Sequence, residues 1–162
     1  TEASPGTNMG FNENHLRQLR RAMFSVSNNR RGTAYGSRVI DDAFRIAGKT
    51  GTSQVRNITA AERARGVTRN EDLPWNRRDH ALFVNYAPYE NPKIAVSVIV
   101  EHGGGGSRAA APIGRDVTLQ ALYGEDPPLD AYPAKDRDRI SEQQDRLRKI
   151  LQANDIDGRS RA

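Results

Sequence analysis

Four consecutive residues, Lys49-Thr50-Gly51-Thr52, bring an ammonium, two hydroxyls and a bare stretch of backbone into one short segment. Preceded by Phe44-Arg45-Ile46-Ala47-Gly48 and followed by Ser53-Gln54-Val55, they read as a strand running from about Phe44 to Val55, with groups that could bind an anion. Alternate side chains of a strand point to opposite faces, so Lys49 and Gly51 face one way and Thr50 and Thr52 the other. Both threonines can serve one ligand only from a sheet edge or across a local twist. Gly48-Lys49-Thr50 also matches the end of a phosphate-binding loop, but that motif needs glycine five positions before Gly48, where Ala43 stands. No serine in the 162 residues is followed three positions later by lysine, so a Ser-x-x-Lys nucleophile is not in this chain.

Other candidates are weaker. Ser27-Asn28-Asn29 has the form of a Ser-x-Asn element, but it falls where a helix should stop. His15, His80 and His102 lack the spacing of metal ligands and read as structural or solvated, so no metal or cofactor is expected. Gly103 to Gly106 could cradle a phosphate, although a tight passage from strand to helix explains them better. Cysteine is absent, which excludes disulfides and thiol chemistry. A net charge of +5 could attract nucleic acid, but acidic residues interleave with the basic ones, as in Asp136-Arg137-Asp138-Arg139, and a solvated surface with no nucleic-acid partner is the expectation. With 36% hydrophobic residues the core is lean, as it would be in part of a domain. No run of about 18 apolar residues is present to span a membrane.

The elements that must position the tetrad follow from periodicity and punctuation. Thr1 to Asn12 reads as a loop. From Glu13, Leu16, Leu19, Met23 and Phe24 recur at helical spacing, with Arg17, Arg20 and Arg21 on a wet side and a stop at Asn28-Asn29. Arg56 to Asp79 is a polar excursion with a helix-capable stretch at Thr59 to Arg65, expected to be mobile or ordered by a partner; Trp75 is expected to bury against the body. His80–Ala87 and Ile94–Val100 form an antiparallel hairpin about a Pro88 to Pro92 turn. A helix follows from about Ala111 or Pro112 to Tyr123, with Pro112 in its first turn, Gly124 ending it, and Ile113, Val117, Gln120 and Leu122 inward. A Pro-rich linker, Asp126 to Pro133, leads to a charged, peripheral helix from Asp136 to Ala153. The order predicts an α+β fold with a three-stranded antiparallel sheet and one helix across each face. An open sheet edge would invite a partner segment.

Four stretches carry a resemblance: Arg31-Gly32-Thr33-Ala34, Ile46 to Val55, Arg78 to Tyr89, and Val98-Ile99-Val100-Glu101-His102-Gly103-Gly104. Together they resemble the C-terminal half of the transpeptidase domain of class B penicillin-binding proteins of the elongation type. The likeness spans roughly Glu13 to Tyr123, and the basic segment after Gly124 departs from it.

The resemblance implies the penicillin-binding protein and serine β-lactamase-like fold, with residues 1–124 as the C-terminal portion of the transpeptidase domain and 125–162 as a linker and helical tail. It implies a penicillin-sensitive serine acyl transfer that cross-links peptidoglycan stem peptides in cell elongation and shape maintenance. Lys49 would hold the substrate carboxylate and bias proton movement near the nucleophile, Thr50 and Thr52 would donate hydroxyl hydrogen bonds to that carboxylate, and Gly51 would let the substrate lie along the strand. The Thr52 backbone N–H would be one oxyanion donor. The implied partners are stem peptides, β-lactams, an upstream half of the same protein carrying the serine, and a membrane glycosyltransferase with other elongation-complex proteins. A periplasmic location, with an inner-membrane anchor outside this chain, belongs to the same expectation. A D,D-carboxypeptidase or β-lactamase-type hydrolase of the same fold, or a non-catalytic basic interaction module, are the alternatives.

Overall fold

The computed structural model describes residues 10–159, and side chains as far as 153. Most of the expected N-terminal loop lies outside the described residues. Helix α1 (Glu13–Asn28) starts at Asn12, whose side chain accepts from the N–H groups of Asn14 and His15, and it ends at the expected Asn28-Asn29 stop. Arg17, Arg20 and Arg21 are exposed, as expected of a wet side, and Arg20 also makes a contact. Its guanidinium donates to the Tyr89 carbonyl at 2.8 Å and lies over the Tyr89 ring.

Strand β1 (Ala47–Ser53) begins three residues later than expected. Asp41 caps a 3-10 turn, Asp42–Phe44, by accepting from the Ala43 N–H, and that turn takes Phe44 out of the strand. Strands β2 (His80–Ala87) and β3 (Ile94–Val100) form the expected hairpin. All neighbours are antiparallel in the order β1-β2-β3, with Lys49 opposite Val84 and Gly51 opposite Leu82. An α+β fold with an antiparallel sheet is therefore present.

Register divides the sheet into two unlike faces. Ala81, Phe83, Asn85 and Ala87 point to one side and are buried there by α3 (Gly106–Tyr123). Burying a side chain of Phe83's size is worth about 1.5–3 kcal/mol. The opposite side carries Lys49, Val84 and Ile99, and the last two are 43% and 65% exposed. One helix on each face was the expectation: α3 covers the first face, and α1 packs along β1 and reaches the second face toward Tyr86 and Tyr89, leaving Val84 and Ile99 open. Phe24 packs on the Tyr89 ring, which stacks on Tyr86.

Helix α3 starts at Gly106, before the expected Ala111 or Pro112, so Pro112 stands inside the helix and not in its first turn. The ring costs the helix the hydrogen bond that an N–H at this position would give to Arg108. The inward residues also differ from expectation: Ala110, Ala111, Gly114, Thr118 and Leu119 are buried, while Ile113 and Val117 are exposed. Small residues win because the helix lies very close to the sheet. A Cβ at Gly114 would come within 2.6 Å of the Phe83 ring, and Thr118 accepts from Asn85 Nδ2 at 2.7 Å.

The linker and the first turns of the C-terminal helix are not peripheral, whereas residues 145–153 are exposed as expected. Ala131, Tyr132 and Ile140 are buried members of the main core, and the Ile40 N–H donates to the Ala131 carbonyl. Short 3-10 turns at Leu129–Ala131 and Ala134–Asp136 lead into α4 (Arg137–Arg159). Arg115, fully buried on α3, ties this stretch down. It donates to Asp116 at 2.8 Å and Asp136 at 2.6 Å, and its guanidinium lies 5.0 Å from the Tyr132 ring centre.

Candidate active site

Lys49, Thr50, Gly51 and Thr52 all lie on β1, which is an edge strand among the described residues. The edge position meets the condition for Thr50 and Thr52, on the α3 side, to share a ligand with Lys49, on the other side. Lys49 is exposed, and its ammonium turns back to donate to the Thr50 carbonyl at 2.6 Å. A ligand anion that accepts from this ammonium would replace only that one bond.

Two elements hold the strand from its flanks. At its start, Asn28 Nδ2 donates to the Ile46 carbonyl at 2.9 Å, which ties the end of α1 to the residue before β1. Further along, the Thr33 and Thr50 hydroxyls lie 2.9 Å apart and share a hydrogen bond. Thr33 had no role assigned from sequence, although Arg31-Gly32-Thr33-Ala34 was conspicuous there. With one hydroxyl donating to the other, the pair presents a fixed array to the strand edge.

Gly106 sets the distance between α3 and the tetrad. A Cβ there would lie 2.2 Å from the Leu82 carbonyl oxygen and 2.5 Å from that of Gly51. Only a residue without a side chain lets the helix start against the backbone of Gly51. Sequence reasoning took Gly103 to Gly106 as a strand-to-helix passage, and that is how they are used. His102 and Gly104 adopt positive φ, and the Gly104 N–H donates to the Asp79 carbonyl.

Beyond the strand, the excursion is closed at its mouth by Asp79. Its carboxylate accepts from the Val55 N–H at 3.3 Å and from Asn70 Nδ2 at 3.0 Å. Helix α2 (Ala60–Arg65) forms where helix-capable residues were expected, capped by Thr59. Arg56 grips Glu62 through two bonds of 2.6 Å and, with the Thr68 N–H, holds that carboxyl down at about 2. Trp75 does not bury against the body: it is 61% exposed and meets His102 edge-on at 4.5 Å. His80 and His102 serve structure, since His80 Nδ1 accepts from the His102 N–H and His102 Nδ1 pairs with the Arg78 carbonyl.

Residues 2–119 match the model of the penicillin binding protein transpeptidase domain. The chain belongs to that family. It is 37% identical over 131 residues to the peptidoglycan D,D-transpeptidase MrdA of Haemophilus influenzae, covering 79% of this chain and 19% of that relative. Against MrdA of Acinetobacter baumannii the identity is 41% over 100 residues, with 59% and 14% covered. Among solved structures, penicillin-binding protein 2 (PBP2) in its complex with MreC from Helicobacter pylori aligns with a TM-score of 0.54 and 32% identity, over 72% of this chain and 18% of that one. PBP2 of Pseudomonas aeruginosa in complex with WCK 5153 aligns at 0.50 and 32%, over 81% and 23%. The chain thus spans about a fifth of the length of the curated relatives it matches most extensively. The penicillin-binding transpeptidase fold, expected from the motifs, is the fold of these structural relatives. No described helix is long and apolar enough to cross a membrane.

Proposed function

We propose that this chain is the C-terminal portion of the transpeptidase domain of a PBP2-type peptidoglycan D,D-transpeptidase, with residues 1–124 in that portion and 125–162 appended to it. The observation that carries the reading is the Lys49-Thr50-Gly51-Thr52 tetrad on an exposed sheet edge within a chain matching the family over residues 2–119.

In this reading an upstream segment supplies the serine. Its oxygen attacks the carbonyl of the penultimate D-alanine of a stem peptide, the terminal D-alanine leaves with a proton, and an amine of a second stem then takes the acyl group. Lys49 holds the substrate's terminal carboxylate, and Thr50 and Thr52 donate hydroxyl hydrogen bonds to it. The side-chain-free Gly51 lets the peptide lie along the edge as an added strand. The Thr52 backbone N–H and the serine's own N–H face the developing oxyanion, and such a donor is typically worth about 2.7–4 kcal/mol. A β-lactam enters the same site by carrying its carboxylate to Lys49. The protein works in elongation and shape maintenance, in the periplasm, anchored to the inner membrane outside this chain. Its partners there are a membrane glycosyltransferase and elongation-complex proteins of the MreC kind.

The test is acylation of the full-length protein by fluorescent penicillin. Wild type should label, and Lys49→Ala should slow labelling about a hundredfold or more, the scale of losing a positioned proton-handling group. Equal labelling of both proteins would overturn the assignment of Lys49.

A further inference from the structure

A cavity of about 540 Å³ opens beside the tetrad, between the turn after α1, the first half of α3 and the start of the C-terminal stretch. Thr33, Ser37, Ser107, Arg108, Lys135 and Arg139 are among its lining residues. Thr33 joins it to the strand, because its hydroxyl is the one bonded to Thr50.

The lining is built to receive negative charge. Asp136 is its single carboxylate, and that group is already engaged by Arg115 at 2.6 Å. Lys135 has no acidic partner among the described residues, and its ammonium lies 3.2 Å from where a Cβ at Gly36 would stand, so the bare residue makes room for it. Ser37 is only 4% exposed, yet its hydroxyl bonds no protein group among the described residues. Its oxygen is not sealed from solvent and opens on the cavity, where it can donate to a ligand. Arg108 and Arg139 add guanidinium groups at the rim, each with an acidic neighbour at 3.3 and 3.7 Å respectively.

Size and spacing select the ligand. The space far exceeds the roughly 30 Å³ share of one water, so a small inorganic anion would fill little of it. Cations distributed along the lining suit a chain bearing several carboxylates. Lys135 and Arg139 also lie beyond residue 119, where the family match ends, so the pocket depends on a segment outside the matched domain. We infer that this cavity binds free carboxylates of the acidic stem peptide whose reacting end lies along β1. The inference rests on the proposed function, since the peptide must approach through Thr50 and Thr33.

The experiment uses full-length protein and two probes: a stem peptide ending in D-alanyl-D-alanine with all its carboxylates free, and the same peptide with every carboxylate except the terminal one amidated, so that the group assigned to Lys49 is the same in both. Calorimetric titration should show the free acid binding more tightly, with the difference shrinking as salt is raised. Lys135→Gln should weaken the acidic peptide about fivefold, the scale of one partly exposed charged contact, and leave the amidated peptide unaffected. Lys135→Arg should retain binding, Ser37→Ala should weaken it about threefold, and Lys93→Gln, a matched loss of charge elsewhere, should change nothing. Equal binding of the two peptides to wild type, or equal loss with Lys93→Gln and Lys135→Gln, would overturn the inference. Ser37→Ala decides the matter if Lys135→Gln melts early. Wild-type labelling by fluorescent penicillin separates the two levels: labelled protein that ignores the carboxylates refutes the pocket alone, whereas unlabelled protein refutes the transpeptidase reading beneath it.

Discussion

Adding one methyl group at Gly106 should disturb the tetrad from the far side of the sheet. The new Cβ would lie 2.2 Å from the Leu82 carbonyl oxygen, and real Cβ atoms essentially never come within 3.0 Å, so helix and strand must separate by at least about 0.8 Å. Neither obstacle can swing aside, because both are backbone carbonyls in adjoining strands, those of Leu82 and Gly51. Overpacking usually costs about 1–3 kcal/mol, and immobile neighbours place this case near 3 kcal/mol. Alanine's better helix propensity returns at most about 1 kcal/mol. A net loss of about 2 kcal/mol should lower the melting temperature by roughly 4–8 °C for a domain of this size. Gly105→Ala is the control: nothing stands within 4 Å of its Cβ and its φ is −91°, so its stability should stay within about 0.5 kcal/mol of wild type. Penicillin acylation provides the second readout. A displacement approaching 1 Å at Gly51 should slow it by up to about a hundredfold in Gly106→Ala alone. If the two variants melt together and acylate alike, the close approach of α3 to β1 does not position the site.

Three further outcomes can be measured. Arg115→Met should cost about 3 kcal/mol in urea unfolding, because Asp116 and Asp136 lose their shared guanidinium. Burial already raises the Asp116 pKa against the pull of Arg115, so the variant's deficit should shrink as pH falls and grow as pH rises through the folded-state value. Glu62, held at about 2 chiefly by its hydrogen bond from Arg56, should stabilise the excursion fully above its ordinary 4.5 and lose that contribution as pH drops toward 2. Emission from Trp75, the single tryptophan, should report this transition, and Arg56→Gln should move it up toward 4.5. Tyr123 and Tyr132 are each pushed up to about 12, first by burial, and Tyr123 also by donating to the Asp41 carboxylate. Their contribution to stability should be intact below pH 10 and disappear as pH rises through 12, and Asp41→Asn should bring one tyrosine's absorbance titration to lower pH.

The hairpin was legible because alternation and a Pro-bounded turn are local signals: β2 and β3 lie at the expected residues, and α1 stops where two asparagines interrupt its pattern. What escaped sequence reasoning depends on distant partners. Helix α3 packs by closeness and not by bulk, so Ala110, Ala111 and Gly114 carry the interface while Ile113 and Val117, which periodicity selects as inward, face outward. Arg115 carries no local signal in the sequence, and only the fold brings Asp136 and Tyr132 to it. The same limit applied beside the tetrad. Lys49 to Thr52 were visible as a motif, but Thr33 stands 17 positions before Thr50, and no periodicity predicts their hydroxyl pair.

Asn28 and Thr33 fasten the end of α1 to β1 at two points, the Ile46 carbonyl and the Thr50 hydroxyl. A helix of 16 residues is about 24 Å long, and the leucines toward its other end, Leu16 and Leu19, are exposed. The arrangement is a lever with its short arm on the strand. A grip on those leucines that tilts the rod by a few degrees would move its free end by an ångström or more, while the fastened end would twist the strand and turn Thr50 relative to Lys49.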